Sequence, residues 1–247
     1  MNTFEKFIDI IYPPRCHICE RFLWSNRSKK DREELLICRS CFEGFSEITS
    51  PLCPVCGRPF PSVAEEDHLC EDCLRKRPLY DAMGAPYLYG GVFMEAIHQF
   101  KYAGKTHLAD SLGPLLVSFA WRWLNKADDC LVMPVPLHPK RLRERGFNQS
   151  LLLARHVASS LGTELEFLSL RRVRYTRPQT GLKSDERRKN VSRAFELMDH
   201  RRVKGRNVIL VDDVATTGNT LNECARVLRR SGCDRVFCLV LARTSGA

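Results

Sequence analysis

The chain has 247 residues, which is enough for one or two domains and a sizeable core. No apolar run approaches the ~20 residues that span a bilayer, and residues 1–16 carry acids inside their short apolar stretch. We therefore expect no membrane insertion, no signal peptide and a cytoplasmic location. The formal net charge of +10 favours an anionic partner.

Eight of the twelve cysteines form four C-x-x-C pairs within the first 73 residues. This placement indicates a reduced, metal-binding protein rather than a secreted disulfide scaffold. Zn²⁺ takes four tetrahedral thiolates, and one C-x-x-C turn supplies two of them. The spacing predicts two structural zinc sites in series, a double zinc ribbon, while interleaved pairing of the first and third pairs stays open. The predicted ligands are Cys16, Cys19, Cys38, Cys41, Cys53, Cys56, Cys70 and Cys73.

Two histidines lie beside the cysteine pairs, and a basic run follows the last of them. His17 and His68 lie next to predicted ligands, but four thiolates already complete each site, so we expect both histidines to be bystanders. The basic run at residues 75–77, followed by a proline, is typical of a linker. We therefore predict a zinc-ribbon domain at residues 1–78 and a second domain at residues 79–247.

From about residue 80 onward, strand-like apolar runs alternate with stretches that have helical spacing. Such alternation predicts an α/β domain with a mostly parallel sheet flanked by helices, and it puts ligands at the carboxyl ends of the strands. The predicted strands are Tyr87–Tyr89, Leu131–Pro136, Val208–Val211 and Val236–Leu241. The predicted helices are Val92–Tyr102, Leu108–Leu124, Ser150–Leu161 and Leu221–Leu228.

The most informative stretch is VILVDDVATTGNT at residues 208–220. A buried strand runs into two acids, Asp212 and Asp213, and a polar turn then leads into a helix. Backbone N–H groups, hydroxyls and the helix end of such a turn can surround a phosphate. The two carboxylates can accept hydrogen bonds from ribose hydroxyls or help to hold Mg²⁺. The predicted phosphate-binding residues are Thr216, Thr217, Gly218, Asn219 and Thr220.

A second predicted strand end, at residues 134–141, carries a proline-stiffened loop with two cations, Lys140 and Arg141. Both cations belong to a basic segment at residues 138–193, where fourteen Lys or Arg residues stand against five acids, a net charge of +9. Basic residues concentrated beside a predicted phosphate site favour an anionic ligand, either pyrophosphate or a nucleic-acid backbone.

The segment at residues 171–195 is polar, basic and low in apolar content, and Pro178 and Gly181 interrupt it. This composition predicts a mobile surface loop just upstream of the acid pair.

Residues 208–220 resemble the motif that binds phosphoribosyl diphosphate (PRPP) in type I phosphoribosyltransferases. The resemblance implies that PRPP binds with Mg²⁺ at the two acids. It also matches Lys140 and Arg141 to the loop that holds the pyrophosphate in the amidophosphoribosyltransferase branch. Four residues resemble the flexible loop of that branch, namely Gln179, Leu182, Arg187 and Asn190.

The whole chain resembles the ComF competence-protein family in five separated motifs that occur in the family's order. These are the cysteine pairs, FKYAG at 100–104, PVPLHPKRLRERGFNQS at 134–150, RPQTGL at 177–182 and VDDVATTGNT at 211–220. The resemblance implies a double zinc ribbon joined to a phosphoribosyltransferase-like domain. It also implies a role in natural transformation or in the use of imported DNA.

Two interpretations of the function stay open. In the first, a PRPP-binding domain serves DNA handling, with single-stranded DNA and DNA-uptake proteins as partners. In the second, the chain is an active phosphoribosyltransferase of purine or nucleotide metabolism without a DNA role. Pyrophosphate would then leave C1 of PRPP through an oxocarbenium-like state, with Asp212, Asp213, Lys140 and Arg141 as the catalytic residues.

Overall fold

The computed structural model describes residues 12–23, 36–60, 66–124, 130–176 and 190–245. Its strands are β1 Ala82–Gly84, β2 Tyr87–Leu88, β3 Cys130–Pro134, β4 Glu164–Leu165, β5 Leu170–Arg172, β6 Phe195–Leu197, β7 Asn207–Ala215 and β8 Arg235–Arg243. Six of them form one sheet in the order β1-β8-β7-β3-β4, and β2 also pairs with β8. All pairings within this sheet are parallel.

Strands β7 and β8 occupy the middle of the sheet because their apolar residues are buried on both faces. Successive residues of a strand point to opposite faces. Ile209 and Val211 accordingly enter one core, and Val208 and Leu210 enter the other. Strand β7 also continues past its predicted end at Val211, so both acids of the candidate site belong to the strand.

Helices cover both faces of this sheet. The α-helices of the described residues are α1 Arg39–Glu43, α2 Glu71–Arg75, α3 Gly91–Tyr102, α4 Leu108–Trp123, α5 Pro139–Arg145, α6 Gln149–Leu161 and α7 Asn219–Arg230. One core contains Ile97 of α3, Leu112 of α4 and Leu153 of α6, and the other contains Leu221 and Leu228 of α7. The predicted α/β fold with a parallel sheet between helices is therefore confirmed. Within the described ranges, no helix is long and apolar enough to cross a bilayer.

The prediction that Lys140 and Arg141 lie in a loop is wrong, because both residues belong to the short helix α5. Pro139 occupies the first helical position, where its missing N–H costs no hydrogen bond and its fixed φ suits the helix. The ring nitrogen Nδ1 of His138 accepts a hydrogen bond from the Lys140 N–H at 3.2 Å and caps the first turn. Gly146 ends the helix with φ at +84°.

The segment predicted as a mobile loop is ordered at both ends. Strands β5 and β6 pair antiparallel, with Arg172 opposite Phe195. The prediction of a loop over the whole of residues 171–195 is therefore wrong at its two ends, because Arg171 and Arg172 belong to β5 and the buried Phe195 belongs to β6. Residues 177–189, which include the predicted Arg187, Gln179 and Leu182, lie outside the described residues.

Both cysteine-rich ribbons pack directly on the α/β part of the chain. Near the first four cysteines, the Ile18 carbonyl accepts a hydrogen bond from Gln99 Nε2 of α3 at 3.1 Å. Near the last four, the Val55 carbonyl accepts one from the Met83 N–H of β1 at 2.8 Å. Buried residues of each ribbon belong to the same apolar clusters as the sheet and its helices.

Candidate functional site

The eight paired cysteines form two groups of four. In each group, the four sulfur atoms lie within 4.8 Å of one another. The Cys19 and Cys38 sulfurs are 3.7 Å apart, and those of Cys56 and Cys70 are 3.6 Å apart. Tetrahedral zinc with bonds of about 2.3 Å to sulfur requires sulfurs roughly 3.8 Å apart, so both groups fit structural zinc. The first group is Cys16, Cys19, Cys38 and Cys41, and the second is Cys53, Cys56, Cys70 and Cys73.

Each group combines two C-x-x-C pairs that are consecutive in the chain. The structure therefore has the serial arrangement and not the interleaved one. The two neighbouring histidines have other contacts. Nδ1 of His17 lies 2.8 Å from the Ser111 hydroxyl of α4. The ring of His68 stacks on Phe60, with ring centres 4.0 Å apart. The first contact joins the first ribbon to α4, and the second lies within the second ribbon.

The two adjacent acids lie near the carboxyl end of β7. Asp213 is only 6% exposed, and its Oδ1 pairs with Lys101 Nζ of α3 at 2.9 Å. Asp212 Oδ1 accepts one hydrogen bond from the Ser150 hydroxyl at 2.7 Å and another from the Asp213 N–H at 2.9 Å. The acid pair therefore connects the end of β7 to α3 and to the start of α6.

Burial and neighbouring charges shift the pKa values of Asp212 and Lys101. Burial, followed by the negative charge of Asp213, raises the pKa of Asp212 to about 7. For Lys101, burial acts to lower the pKa, but the charge and hydrogen bond of Asp213 outweigh burial and the pKa is raised. Lys101 therefore stays charged at neutral pH, whereas Asp212 titrates close to neutral pH. Such a shifted acid next to a charged one is typical of a functional site.

The turn at Thr216–Gly218 joins the acid pair to helix α7. Gly218 has φ at +72°, and a Cβ atom on it would lie 3.1 Å from the Tyr80 hydroxyl and 3.5 Å from Met83 Cε. Glycine therefore suits both the backbone conformation and the close packing. Thr217 Oγ1 is buried and has no hydrogen-bond partner among the described residues. A buried hydroxyl of this kind and the N-terminus of a twelve-residue helix suit an anionic ligand.

The start of α6 links the ends of strands β3 and β7. Asn148 caps the helix by accepting the Ser150 N–H at 3.1 Å, and its Nδ2 donates to the Val135 carbonyl, also at 3.1 Å. Ser150 then donates to Asp212. The buried Gln149 accepts a hydrogen bond from Arg145 at 2.7 Å, whereas its Nε2 has no partner among the described residues. The PVPLHPKRLRERGFNQS and VDDVATTGNT stretches are thus in direct contact.

A group of cations surrounds the segment that follows β5. Arg141 donates to the Thr176 carbonyl at 3.2 Å, and Lys140 Nζ lies 4.8 Å from the centre of the Tyr175 ring. Arg172 donates to the Thr176 hydroxyl, but its Nε is buried and unpartnered among the described residues. Burial, and then the charge of Arg141, lowers the pKa of Arg172, while the charge of Asp212 opposes this change. Arg172 is therefore a half-buried cation with a buried Nε, and it lies within electrostatic range of Asp212.

Three residues of this site were not predicted individually from the sequence, namely Lys101, Ser150 and Arg172. Lys101 lies in the FKYAG stretch and Ser150 ends the PVPLHPKRLRERGFNQS stretch, so the motifs contained a signal for both. Arg172 was visible only as one of many basic residues. Of the residues matched to the flexible loop, Asn190 is described, and its carbonyl accepts a hydrogen bond from Arg174 at 2.8 Å.

Comparisons with known proteins agree with this architecture. A double zinc ribbon domain matches residues 7–74, and a phosphoribosyl transferase domain matches residues 148–246. The DNA utilization protein YhgH of Escherichia coli (strain K12) is 34% identical over 212 residues, which are 84% of this chain and 90% of that protein. The chain belongs to the ComF family. Two further relatives are Competence protein F of Haemophilus influenzae, 32% identical over 84% of this chain and 90% of its own, and Competence protein ComFC of Bacillus subtilis, 29% identical over 79% of each.

In this ComF-family chain, the region matched to the phosphoribosyl transferase domain begins at residue 148, next to the start of α6. It contains Ser150, both acids and the turn that leads into α7. Lys101, Lys140 and Arg141 precede it. Some of the positive charge near the candidate site therefore comes from outside the matched region.

Proposed function

We propose that this chain binds PRPP, or another phosphorylated ribose, and that it uses this site in DNA handling. The observation that carries the ligand class is the joining of two adjacent acids, half-buried Asp212 and buried Asp213, to a phosphate-type turn between β7 and α7. Asp212 and Asp213 are assigned to the ribose hydroxyls and to Mg²⁺, which prefers carboxylate oxygens. The 5′-phosphate is assigned to the turn and the helix start, namely Thr216, Thr217, Gly218, Asn219 and Thr220.

We assign the diphosphate end of PRPP to cations on α5 and β5. Lys140 and Arg141 are the residues expected from the resemblance, and the structure adds Arg172 beside them. Arg172 supports the assignment because its buried Nε lacks a partner and no carboxylate pairs with it among the described residues. A diphosphate would supply charge-assisted hydrogen bonds to such a group. For Arg187, the loop role stays a prediction from the resemblance.

Calorimetric titration of the full chain tests the ligand class. The three ligands are PRPP with Mg²⁺, ribose 5-phosphate and inorganic pyrophosphate. We expect all three to bind and PRPP to bind most tightly, because it contacts both ends of the site at once. Failure of PRPP to bind, in protein with two zinc ions per chain, would overturn the proposal.

Replacing Arg172 with methionine is expected to weaken PRPP and pyrophosphate binding by at least about tenfold, because a charge-assisted hydrogen bond is lost. Ribose 5-phosphate affinity should change little, since Arg172 is assigned to the diphosphate end only. Calorimetry of all three ligands measures both effects. The matched control is Arg171→Met, on the neighbouring exposed position of β5. Equal losses for PRPP and ribose 5-phosphate would contradict the assignment.

The DNA part of the proposal draws on the relatives and on charge. Their names are DNA utilization protein and competence protein. We propose single-stranded DNA in the cytoplasm as a partner of this chain, together with proteins of DNA uptake. The net charge of +10 supports a polyanionic partner, because basic surfaces gain affinity for nucleic acid by releasing counterions.

A recess of about 550 Å³ between β6 and α7 is a candidate contact surface for the DNA backbone. Its cations are the exposed Arg193 and Arg230 together with Arg226, and its lining also includes His200 and one acid, Glu196. Arg193 has φ at +53°, an uncommon conformation for a residue with a side chain. The buried residues Phe195 and Val227 add an apolar lining to the recess. Such a recess combines charge for phosphates with an apolar surface.

Replacing Arg230 with alanine is expected to weaken binding of a labelled oligothymidylate. Removing one phosphate contact should lower the slope of log affinity against log salt concentration by about 0.7. Fluorescence anisotropy at several salt concentrations measures this slope. The control is Arg39→Ala, an exposed arginine of α1 that pairs with Glu43. A slope that stays the same in the Arg230 variant would remove this recess from the DNA surface.

A second candidate function is active phosphoribosyl transfer, which the cations near the acid pair favour because they could stabilise departing pyrophosphate. Release of pyrophosphate from PRPP and Mg²⁺, with a panel of bases and amines as acceptors, tests it. Release that Asp212→Asn or Asp213→Asn abolishes, at unchanged zinc content, would establish turnover. PRPP binding without release, together with salt-sensitive binding of single-stranded DNA, would favour a binding role.

A further inference from the structure

Arg243 lies at the end of β8 between the second cysteine group and the candidate phosphate turn. Only 2% of it is exposed, although its side chain is large and charged. One terminal nitrogen donates to the sulfur of Cys56 at 3.5 Å, and the other donates to the Thr216 carbonyl at 3.4 Å. Its guanidinium therefore bridges a predicted zinc ligand and the first residue of the turn.

A buried guanidinium needs a countercharge, because an unpaired charge in a protein interior is costly. No carboxylate pairs with Arg243 among the described residues, and its Nε is buried without a partner. Four thiolates around one Zn²⁺ carry a net charge of −2. The second cysteine group, whose sulfurs have the spacing that zinc requires, therefore supplies the negative charge next to Arg243 when it holds the metal.

Close packing reinforces this connection. A Cβ atom on Gly57, which follows Cys56, would lie 2.6 Å from the Met83 carbonyl. Met83 also donates its N–H to Val55 in the same cysteine turn. On its other side, Met83 Cε lies 3.5 Å from the Cβ position of Gly218. The second cysteine turn, Met83 and the phosphate turn thus form one continuous packed layer.

The first cysteine group differs in its surroundings. It packs on α3, where Gln99 donates to Ile18, and on the connection between α3 and α4, where Lys105 pairs with Glu20 at 2.5 Å. No contact of the described residues connects its sulfurs to Arg243. The two groups therefore allow a comparison between metal sites within one chain.

We propose that Arg243 is a positioning residue that couples the metal of the second cysteine group to the conformation of the Thr216–Gly218 turn. This inference rests on the proposed function, since the turn is the site assigned to the 5′-phosphate. Zinc in the second group holds Arg243 in place, and Arg243 holds the Thr216 carbonyl. Loss of that metal loosens the turn and weakens binding of a phosphorylated ribose, whereas loss of the first metal does not.

Hydrogen exchange measured by mass spectrometry tests the coupling without any ligand. Replacing Arg243 with methionine is expected to raise amide exchange in peptides that cover residues 214–220, and Cys56→Ser should have the same effect. Cys19→Ser, in the first group, should leave these peptides unchanged. The control for β8 is Arg235→Met at the exposed start of the strand. Zinc content and the thermal unfolding midpoint are measured for every variant.

Ligand binding provides the second measurement. Arg243→Met should weaken ribose 5-phosphate binding by about tenfold, as expected for the loss of a charged hydrogen bond, and leave pyrophosphate affinity unchanged. Arg243→Lys keeps the charge beside Cys56 but lacks the two-armed donor. It should therefore retain two zinc ions and still show the faster exchange, which separates positioning from metal retention.

Unchanged exchange at residues 214–220 in both Arg243 variants, or equal effects of Cys19→Ser and Cys56→Ser, would overturn the coupling. The proposed function can fail separately. If the wild-type chain binds no phosphorylated ribose, the ligand assignment is wrong, while the exchange measurements still decide whether Arg243 connects the metal to the turn.

Discussion

Replacing Asp213 with asparagine is expected to lower the free energy of unfolding by about 3 kcal/mol at neutral pH, because it breaks a largely buried ion pair by removing one charge. The side chains of Lys101 and Asp213 are 20% and 8% exposed, so the substitution leaves a largely buried ammonium without its countercharge. The asparagine Oδ1 can still accept the hydrogen bond from Lys101 Nζ. The loss therefore measures the charge more than the hydrogen bond, and urea denaturation followed by circular dichroism determines it.

Two controls make this result specific. The double variant Lys101→Met and Asp213→Asn is expected to recover most of the lost stability, because an apolar replacement of a buried pair is often neutral. Asp199→Asn removes the acid of a pair with Arg201, whose side chain is 91% exposed, and should cost far less. A double variant as unstable as Asp213→Asn alone would show that the charge of Lys101 is not the cause.

Much of the fold could be predicted because its signals are local. The apolar runs that became β3, β7 and β8 are short and are followed by turn residues, which is typical of buried parallel strands. The cysteine pairs specified two metal groups because one C-x-x-C turn can supply only two ligands to a metal. The order of acid pair, turn and helix likewise identified the carboxyl end of β7 as the candidate site.

The contacts that complete the site could not be predicted, because they join residues far apart in the chain. Ser150 and Asp212 are 62 positions apart, and Cys56 and Arg243 are 187 apart. Composition showed Arg243 as one more surface-type cation, whereas the structure buries it. The helix at Pro139–Arg145 was mistaken for a loop because proline disrupts helix interiors but favours the first helical position.

Replacing Asp212 with asparagine is expected to have the opposite effect on stability to Asp213→Asn. Burial and the charge of Asp213 disfavour the ionised form of Asp212 and raise its pKa to about 7. An uncharged asparagine avoids this penalty, and its Oδ1 can still accept from Ser150 and from the Asp213 N–H. The variant should be more stable than the wild type at pH 8 and should bind PRPP at least about tenfold more weakly.

The pH dependence of unfolding determines whether Asp212→Asn raises or lowers the stability of the protein. An unfolded aspartate has a pKa of about 4, so between about pH 4 and about pH 7 the folded protein binds more protons than the unfolded chain. The contribution of Asp212 to the free energy of unfolding of the wild type therefore falls as the pH rises through that window. Asparagine does not titrate, so the free energy of unfolding of the Asp212→Asn variant does not fall for this reason. Urea denaturation at pH 5 and pH 8 should show a stability advantage of the variant that grows with pH.

Asp199 provides the contrast, because the hydrogen bond from the Arg201 side chain lowers its pKa. The Asp199 carboxylate stabilises the folded protein above the ordinary pKa of an aspartate, and this stabilisation is lost as the pH falls through the lowered pKa. Asp199→Asn should therefore change the dependence of stability on pH in the direction opposite to that of Asp212→Asn. Equal destabilisation by Asp212→Asn and Asp213→Asn at pH 8 would contradict the division of roles. Adjacent carboxylates that differ in this way indicate that Asp213 supports the fold through Lys101 in addition to its proposed role at the ligand, whereas Asp212 is held, at a cost in stability, for the ligand alone.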